Sequence, residues 1–283
     1  MVGRVFMDGG NTVTLRLTII ALLLTTLTAG AWTQEQLMRR AYGVRGAAPS
    51  TDLSADLWHF WNPSVNGTND MGSIPQNVTV YGTTATTTNG WEMGTVISNY
   101  AIVKGVISNE YNYTVCAWVN PNTTAMISAG ANGCILSDDG NNSVYPQTRD
   151  FIFSYVYTSQ KWRLLVFGNV GASVYSASAL TASNAVNGVW QHISGVCDYA
   201  SSNIFIYYNG VLSGSNSLYS APYWLTPNKS SAGSSCFGQL SYLPTYGPTK
   251  YNGMIDKIRF YGTAKDAAFI QYLFNSEKAS KGL

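Results

Sequence analysis

Short runs rich in β-branched and aromatic residues recur along the chain from Leu53 onward, and segments rich in glycine, asparagine, serine and proline separate them. Several of these runs are apolar at both alternating positions, which is typical of strands in stacked sheets whose two faces are both covered. The pattern therefore predicts an all-β domain, built as a two-sheet antiparallel sandwich of the jelly-roll kind. The runs lie at residues 113–119, 151–157, 162–168, 190–197, 203–212 and 254–262.

Turn and helix signals complete this prediction. Hairpin turns are predicted at two places. One is residues 158–160, between two apolar runs, and the other is the pair Asn209–Gly210, inside another run. Near the end of the chain, residues 264–279 have apolar positions at helical spacing, which predicts a short amphipathic helix. No helix is expected between Leu53 and this segment. The predicted apolar face of the helix consists of Ala268, Ile270, Leu273 and Phe274.

A long apolar run precedes the β domain at residues 17–32. Arg4 and Arg16 come before the run and the small residues 29–31 close it, which is the pattern of a secretory signal peptide. The run is about sixteen residues long, which is short for a membrane span of roughly 20 residues. If the segment is retained, residues 13–32 would serve instead as a membrane anchor or as an arm in an assembly.

The division of the chain follows from these patterns. Residues 1–32 form the hydrophobic N-terminal segment, and residues 33–52 combine a short helical pattern with a linker. The jelly-roll domain is predicted to occupy residues 53–283, with no internal repeat and no second domain.

The charge of the chain excludes one class of partner. Only 11% of the residues are charged, the formal net charge is +2 and no run of lysine or arginine occurs, so we expect no binding to nucleic acid. A surface poor in charge and rich in hydroxyls and amides favours a secreted or cell-surface protein, or a protein on the surface of a virion.

The four cysteines are even in number and are candidates for disulfides. In an oxidising compartment we expect one or two disulfides, and in a particle assembled in the cytosol four thiols. The candidates are Cys116, Cys134, Cys197 and Cys236.

Four segments resemble one family in their residues and in their order. YTVCAWVNP (113–121) resembles a strand of that family written f-T-v-s-a-W-v-k, and residues 187–214, beginning NGVWQHISGV, are similar to its central hairpin. YNGMIDKIRFYG and the residues after it (251–274) resemble its closing strand and helix, and LWHFWNPSVNGTND (57–70) resembles its opening strand. The family is that of the laminin-G-like, concanavalin A-like lectin/glucanase domains. The resemblance covers residues 53–275 and implies a concanavalin A-like jelly roll, a fold that hosts lectins, adhesins, enzymes and structural modules.

The acidic residues do not predict an enzyme. Hydrolysis by a glucanase of this fold requires acidic side chains that alternate along one strand face and flank the same bond. No strand of the matching region has that pattern, and the neighbours Asp138 and Asp139 would point to opposite faces of a strand. We therefore expect no catalysis. His192, in the matching hairpin, is expected to be a buried ring bonded to the backbone.

The resemblance also implies a candidate calcium site at the rim of the sandwich, because calcium is bound by carboxylate, amide and carbonyl oxygens. Asn62 and Asp70 lie in the loop after the opening strand, and Asp256 lies in the GMIDKI strand. Asp138 and Asp139 begin a second candidate loop. The alternative is that Asp256 binds neighbouring backbone amides.

Two loops are rich in aromatic residues that could bind sugar. Exposed tyrosine and tryptophan rings stack on the apolar faces of sugars while nearby amides bind the hydroxyls, so these loops predict a glycan site. The alternative is a contact between subunits, since the same residue types are enriched at protein interfaces. The predicted glycan-binding residues are Tyr219, Tyr223 and Trp224 in one loop and Tyr242 and Tyr246 in the other.

These observations favour a non-catalytic module that binds a glycan or a glycoprotein surface and is displayed outside a cell or on a particle. The alternative is a structural subunit of an assembly, such as a virion decoration or fibre protein or an extracellular filament. In that case the jelly roll would be the exposed knob, residues 1–50 would be the anchor, and a capsid or filament would be the partner.

Overall fold

The computed structural model describes residues 52–73, 75, 77–81, 84–94, 100–104, 111–139, 149–170, 173–220, 223–224, 226–227, 234–238 and 250–283. The predicted hydrophobic segment at residues 1–32, and the linker up to residue 51, lie outside the described residues. Within the described ranges, no helix has the length and apolar character needed to span a bilayer.

Two antiparallel sheets stack face to face, as the strand pattern predicts. The first sheet contains, in spatial order, β13 (Val211–Ser217), β12 (Asn203–Tyr208), β11 (Gln191–Asp198), β6 (Tyr113–Pro121), β18 (Gly253–Tyr261), β4 (Gly90–Met93) and β3 (Ala85–Thr87), with β1 (Leu57–Trp61) also paired to β18. The second contains β10 (Ser173–Leu180), β9 (Lys161–Val170), β8 (Arg149–Val156), β7 (Gly133–Asp139), β17 (Ser234–Phe237), β5 (Tyr100–Lys104) and β2 (Val78–Tyr81), with β16 (Thr226–Pro227) paired to β9. The short strands β14 (Tyr219–Ser220) and β15 (Tyr223–Trp224) form a separate ribbon.

Three α-helices accompany the sheets in the described part of the chain: α1 (Pro63–Asn66), α2 (Thr123–Ser128) and α3 (Ala267–Glu277), the last continued by a 3₁₀ turn at Lys278–Lys281. The predicted C-terminal helix is confirmed, whereas the expectation of no earlier helix is wrong. Both early helices have local signals at their starts. Pro63 occupies the first turn of α1, and the Asn122 side chain accepts a hydrogen bond from the Ala125 N–H at the start of α2.

Both faces of the first sheet are buried, which explains why its strands are apolar at both alternating positions. In β6, Val115, Ala117 and Val119 face the second sheet in the central core. Cys116, from the opposite face of the same strand, packs with Tyr207 and other residues beneath α3. The buried residues of α3 are Phe269, Ile270, Leu273 and Glu277, so Phe269 replaces Ala268 on the predicted apolar face.

A buried ion pair links α3 to the outer face of the first sheet. Arg259 of β18 donates to Glu277 over 2.6 Å, and the indole N–H of Trp118 donates to the second Glu277 oxygen over 2.7 Å. Burial raises the pKa of the Glu277 carboxyl, but the positive charge of Arg259 and these hydrogen bonds outweigh burial and hold the pKa below its ordinary value. The carboxylate is therefore charged at neutral pH and fixes α3 to the sheet.

The predicted hairpin turn at Asn209–Gly210 is confirmed and lies against His192. Both turn residues have positive φ angles (50° and 79°), as a tight hairpin requires, and a Cβ at Gly210 would lie 3.0 Å from Phe274. The Asn209 side chain accepts the His192 backbone N–H. The His192 ring is buried between Trp118 and Phe274, with centroid distances of 5.2 and 6.1 Å.

The His192 ring is buried as predicted, but its predicted hydrogen bond to the backbone is wrong. Neither ring nitrogen has a hydrogen-bond partner among the described residues. Burial lowers the pKa of this ring to about 4, and the nearby Glu277 charge only partly opposes that effect. The ring is therefore neutral at physiological pH.

Acid is expected to destabilise the protein through His192. The unfolded ring, with a pKa of 6.5, takes up a proton before the folded ring does, so the free energy of unfolding falls as the pH drops below 6.5 and levels off below about 4. The loss should reach at most about 3 kcal/mol. Urea unfolding between pH 7 and pH 5 measures it, because carboxylates contribute little in that interval. The variant His192→Leu should flatten the dependence, and an equally steep curve would contradict this account.

Candidate functional site

One end of the sandwich brings together several of the residues that the sequence singles out. β6 and β8 begin there, and β7, β9 and β11 end there. The rings of Tyr113 in β6 and Phe151 in β8 are in contact across the two sheets, with centroids 5.1 Å apart. We call this part of the molecule the tyrosine end, because Tyr111 and Tyr199 lie on it.

Tyr111 and Tyr199 form an aromatic pair at this end. Their ring centroids are 5.1 Å apart and their planes are tilted by 35°. Tyr199 is 38% exposed and Tyr111 is half-buried. The Asn112 side chain accepts the Tyr199 backbone N–H over 2.7 Å, which ties the turn after β11 to the start of β6. The pair, hereafter the tyrosine platform, is therefore held by both neighbouring strands.

The turn that carries Tyr199 is rich in small polar groups. The Asp198 side chain accepts the Ser201 N–H over 3.2 Å, and Ser202 adopts a φ of 59°. Asn203 donates from its side chain to the Ser201 carbonyl over 2.6 Å. Hydroxyls and amides thus border the exposed ring.

The predicted aromatic loop begins beside this turn. The Leu218 N–H donates to the Ser202 carbonyl over 2.9 Å, and Tyr219 follows directly. In the ribbon, Tyr219 is paired with Trp224 and Ser220 with Tyr223. The structure thus joins three of the five predicted glycan-binding residues in one ribbon next to the tyrosine platform. Their side chains lie outside the described part of the structure, and the other two predicted residues, Tyr242 and Tyr246, lie outside it entirely.

The two groups of predicted calcium ligands lie at different places. Asp138 and Asp139 end β7 at the tyrosine end, opposite residues of β17, and their side chains are outside the described part. Asn62 and Asp256 belong to a cluster beside α1. There the single Ser64 hydroxyl proton is shared between the Asn62 side-chain oxygen and the Asp256 carboxylate, each 2.9 Å from the hydroxyl oxygen.

The carboxylates of Asp70 and Asp256 accept hydrogen bonds from the protein itself. Asp70 is bonded to the His59 ring over 2.7 Å and accepts the backbone N–H groups of Phe60 and Gly72, each over 2.8 Å. Asp256 accepts from Lys281 over 2.6 Å as well as from Ser64. Among the described side chains, no three of histidine, cysteine, aspartate and glutamate gather as metal ligands. Both carboxylates are thus engaged by donors of the protein itself, and the calcium sites remain a prediction.

All four predicted disulfide candidates are buried thiols in the structure. Cys197 lies in the central core, whereas Cys116 lies beneath α3 on the opposite face of the first sheet, so these two cannot pair with each other. Cys134 and Cys236 are in the second sheet. Burial raises the pKa of Cys116 to about 12 and that of Cys197 further still, so neither is a reactive thiolate.

The comparisons with known proteins agree with this architecture. The model of the concanavalin A-like lectin/glucanases superfamily matches residues 93–271, and the chain belongs to that family. No curated protein sequence matches the chain.

Solved structures with the same fold include toxin domains and a domain of a glycosidase. The receptor binding domain of botulinum neurotoxin C/D mosaic serotype is 11% identical, with a TM-score of 0.56 over 78% of this chain and 51% of that one. The binding domain of Paraclostridial Mosquitocidal Protein 1 is 15% identical, with a TM-score of 0.56 over 78% and 52%. The chain thus spans about half the length of these toxin domains.

Domain 4 of AbnA, a GH43 extracellular arabinanase from Geobacillus stearothermophilus in complex with arabinotriose, is 17% identical to this chain. Its TM-score is 0.53 over 78% of this chain and 98% of that domain. At these identities the likeness shows the shared fold.

Replacing Asp70 tests whether its carboxylate acts as a structural acceptor. Asp70→Ala leaves the N–H groups of Phe60 and Gly72 without their acceptor, so the free energy of unfolding should fall by about 1–3 kcal/mol. The loss should be equal in calcium and in EDTA, as thermal unfolding would show. The exposed Asp52→Ala should lose less, and a loss at Asp70 that appears only with calcium would overturn this assignment.

Proposed function

We propose that this protein is a non-catalytic binding module that recognises glycans at the tyrosine end. The observation that carries this proposal is the tyrosine platform, an aromatic pair in which the Tyr199 ring is exposed on a turn held by hydrogen bonds. Such rings stack on the C–H faces of sugars, and the bordering amides and hydroxyls supply donors and acceptors for sugar hydroxyls. The adjacent ribbon contributes Tyr219, Tyr223 and Trp224 to the same surface in this proposal.

The environment of the acidic side chains supports a role in binding. A glycosidase needs two carboxyl groups facing each other across about 5–10 Å of open space. In the described part of the chain, the buried carboxylates are engaged by basic partners: Asp70 by His59, Asp256 by Lys281 and Glu277 by Arg259. Glu92 is exposed on β4. Each of the three buried carboxylates is thus already bound by a basic side chain of the fold.

The structural neighbours support the same class of function. The toxin domains are described as receptor binding or binding domains, and the arabinanase domain was solved with arabinotriose. A sugar or glycoprotein partner is therefore the partner that we propose for this chain. Display outside the cell, following export directed by residues 1–32, is part of the proposal and is consistent with the low content of charge.

A glycan array probed with the full chain tests the proposal, with Tyr199→Ala as the site variant. Binding to specific glycans should fall about tenfold or more, because an aromatic anchor in a binding site commonly contributes more than 1 kcal/mol. Tyr272→Ala is the matched control, since Tyr272 is 41% exposed on α3, which covers the outer face of the first sheet. The proposal would be contradicted if Tyr199→Ala bound glycans as well as the unmodified protein does. It would also be contradicted if the folded, unmodified protein bound no glycan on the array.

A structural subunit of an assembly is the second candidate function, and the four buried thiols favour it. Thiols are typical of proteins that assemble in a reducing compartment, whereas secreted domains commonly carry disulfides. If this function is correct, the purified chain should form particles or filaments through its own contacts and keep four thiols after native isolation. Light scattering and mass spectrometry measure both properties. A monomer with disulfides would eliminate this candidate.

A further inference from the structure

Six asparagines of the chain begin the motif Asn-X-Ser/Thr, in which X is not proline and which is the acceptor signal for N-linked glycosylation in exported proteins. The motif is short and arises by chance, so the position of each asparagine in the fold decides whether it suits a glycan. The motifs at residues 141 and 228 lie outside the described residues. The other four begin at Asn66, Asn77, Asn112 and Asn122.

Asn122 is exposed at the end of the sandwich opposite the tyrosine end. It follows β6, whose nine residues run away from the tyrosine platform for about 26 Å. The Asn122 side-chain oxygen accepts the Ala125 N–H over 3.0 Å, and its side-chain nitrogen makes no hydrogen bond to a described residue. Thr124, the third residue of this motif, is exposed as well. The fold thus uses the oxygen of this amide and leaves the nitrogen available.

Asn77 has the same properties at another edge of the molecule. It directly precedes β2, the last strand of the second sheet, and both Asn77 and Thr79 are exposed. Its side-chain oxygen accepts the Asp70 N–H over 3.2 Å, and its nitrogen has no hydrogen bond within the described part of the chain. β2 lies four strands from β8, the strand that meets β6 at the tyrosine end, which is about 19 Å. A glycan at Asn77 would therefore leave the tyrosine platform open.

The two remaining motifs are engaged by the fold. Asn112 is half-buried and accepts the Tyr199 N–H beside the platform. Thr114, the third residue of its motif, is fully buried, and its hydroxyl makes two hydrogen bonds to backbone groups. The side-chain nitrogen of Asn66, which is the atom that would carry a sugar, donates to the Met71 sulfur. Burial and hydrogen bonding thus separate these two motifs from the exposed ones.

We propose that Asn77 and Asn122 are N-glycosylation sites and that Asn66 and Asn112 are unmodified in the folded protein. The donor in this reaction is a lipid-linked oligosaccharide diphosphate. The bond between the anomeric carbon of the first sugar and the diphosphate oxygen breaks, and a bond from that carbon to the asparagine Nδ2 forms. The lipid diphosphate leaves and takes up the proton that the amide loses. This inference rests on the proposed function only in the export of the chain.

The modification is compatible with the local structure of both sites. Transfer to Nδ2 leaves the side-chain oxygen in place, so the hydrogen bonds from the Asp70 and Ala125 N–H groups are kept. Both asparagines lie next to exposed residues of their own motifs, so a bulky oligosaccharide extends into solvent without displacing a packed side chain. The glycosylated protein is therefore expected to have the same fold.

A glycan at Asn122 would also cover apolar side chains that the fold leaves exposed. The Asn187 side chain accepts the Thr124 N–H over 3.3 Å, which holds the loop before β11 against α2. The exposed apolar residues of this loop and of α2 are Val186, Val189 and Ile127. Exposed apolar side chains that lie together favour association between molecules, so we expect the glycan to keep the exported protein soluble.

The test expresses the full chain, with its own N-terminal segment, in a eukaryotic cell line. Enzymatic release of an N-glycan by a peptide amidase leaves aspartate in place of the modified asparagine, so mass spectrometry of the peptides identifies each modified position. The peptides should contain aspartate at the positions of Asn77 and Asn122, and asparagine at Asn66 and Asn112.

Substitution of the third motif residue provides matched variants. Thr79→Ala should lose the glycan at Asn77 alone, and Thr124→Ala should lose the glycan at Asn122 alone, because each change removes the motif. Thr79→Ser and Thr124→Ser are the controls and should keep both glycans, because serine preserves the motif. All four variants retain both asparagines and hence the hydrogen bonds that their oxygens accept.

An unmodified Asn77 or Asn122 would overturn the assignment of that site, whether or not the chain is exported. Modification of Asn112 in folded protein would overturn the use of burial to choose among the motifs. The array for the tyrosine platform uses protein from a host that lacks this modification, so an empty array and an unmodified asparagine are independent results.

Light scattering at equal protein concentration tests the covering of the apolar residues. Thr124→Ala, which lacks the glycan at Asn122, should aggregate faster than the glycosylated Thr124→Ser. Equal rates of aggregation would contradict a covering role for this glycan.

Discussion

The covering of the first sheet by α3 is the constraint on which the rest of the structure depends. The strands β6, β11 and β18 carry large apolar side chains on both faces, and one face is already buried against the second sheet. The helix buries the other face, and the Glu277 carboxylate holds it there by accepting from Arg259 and Trp118. With this face closed by α3, the partner surface that we propose lies at the tyrosine end of the sandwich.

The hydrogen bonds that the buried carboxylates accept show that these side chains help to hold the fold together. Asp70 and Asp256 are predicted from the sequence as calcium ligands, and like Glu277 each accepts hydrogen bonds from donors within the fold. Each hydrogen bond that such a carboxylate accepts within the fold occupies one of its roughly four acceptor positions.

The sandwich can be predicted because each of its signals lies within a short stretch of the chain. These signals are the apolar runs, the Asn209–Gly210 turn and the helical spacing near the C-terminus. The sequence pattern misses α1 and α2 because four and six residues contain too little periodicity to detect. The tyrosine platform could not be predicted, since Tyr111 and Tyr199 are distant in the chain and meet only through the pairing of β6 with β11. An exposed tyrosine in a turn rich in serine and asparagine was the one available signal.

The position of β18 in the first sheet has a consequence for how the protein is made. This strand pairs with β1, β4 and β6, which are all synthesised much earlier. The nascent chain must therefore hold three strands with open edges until β18 has left the ribosome. Such distant pairing is slow to form, and unpaired edges favour aggregation in the meantime. Slower translation between β6 and β18 would therefore lengthen the time in which these unpaired edges can aggregate.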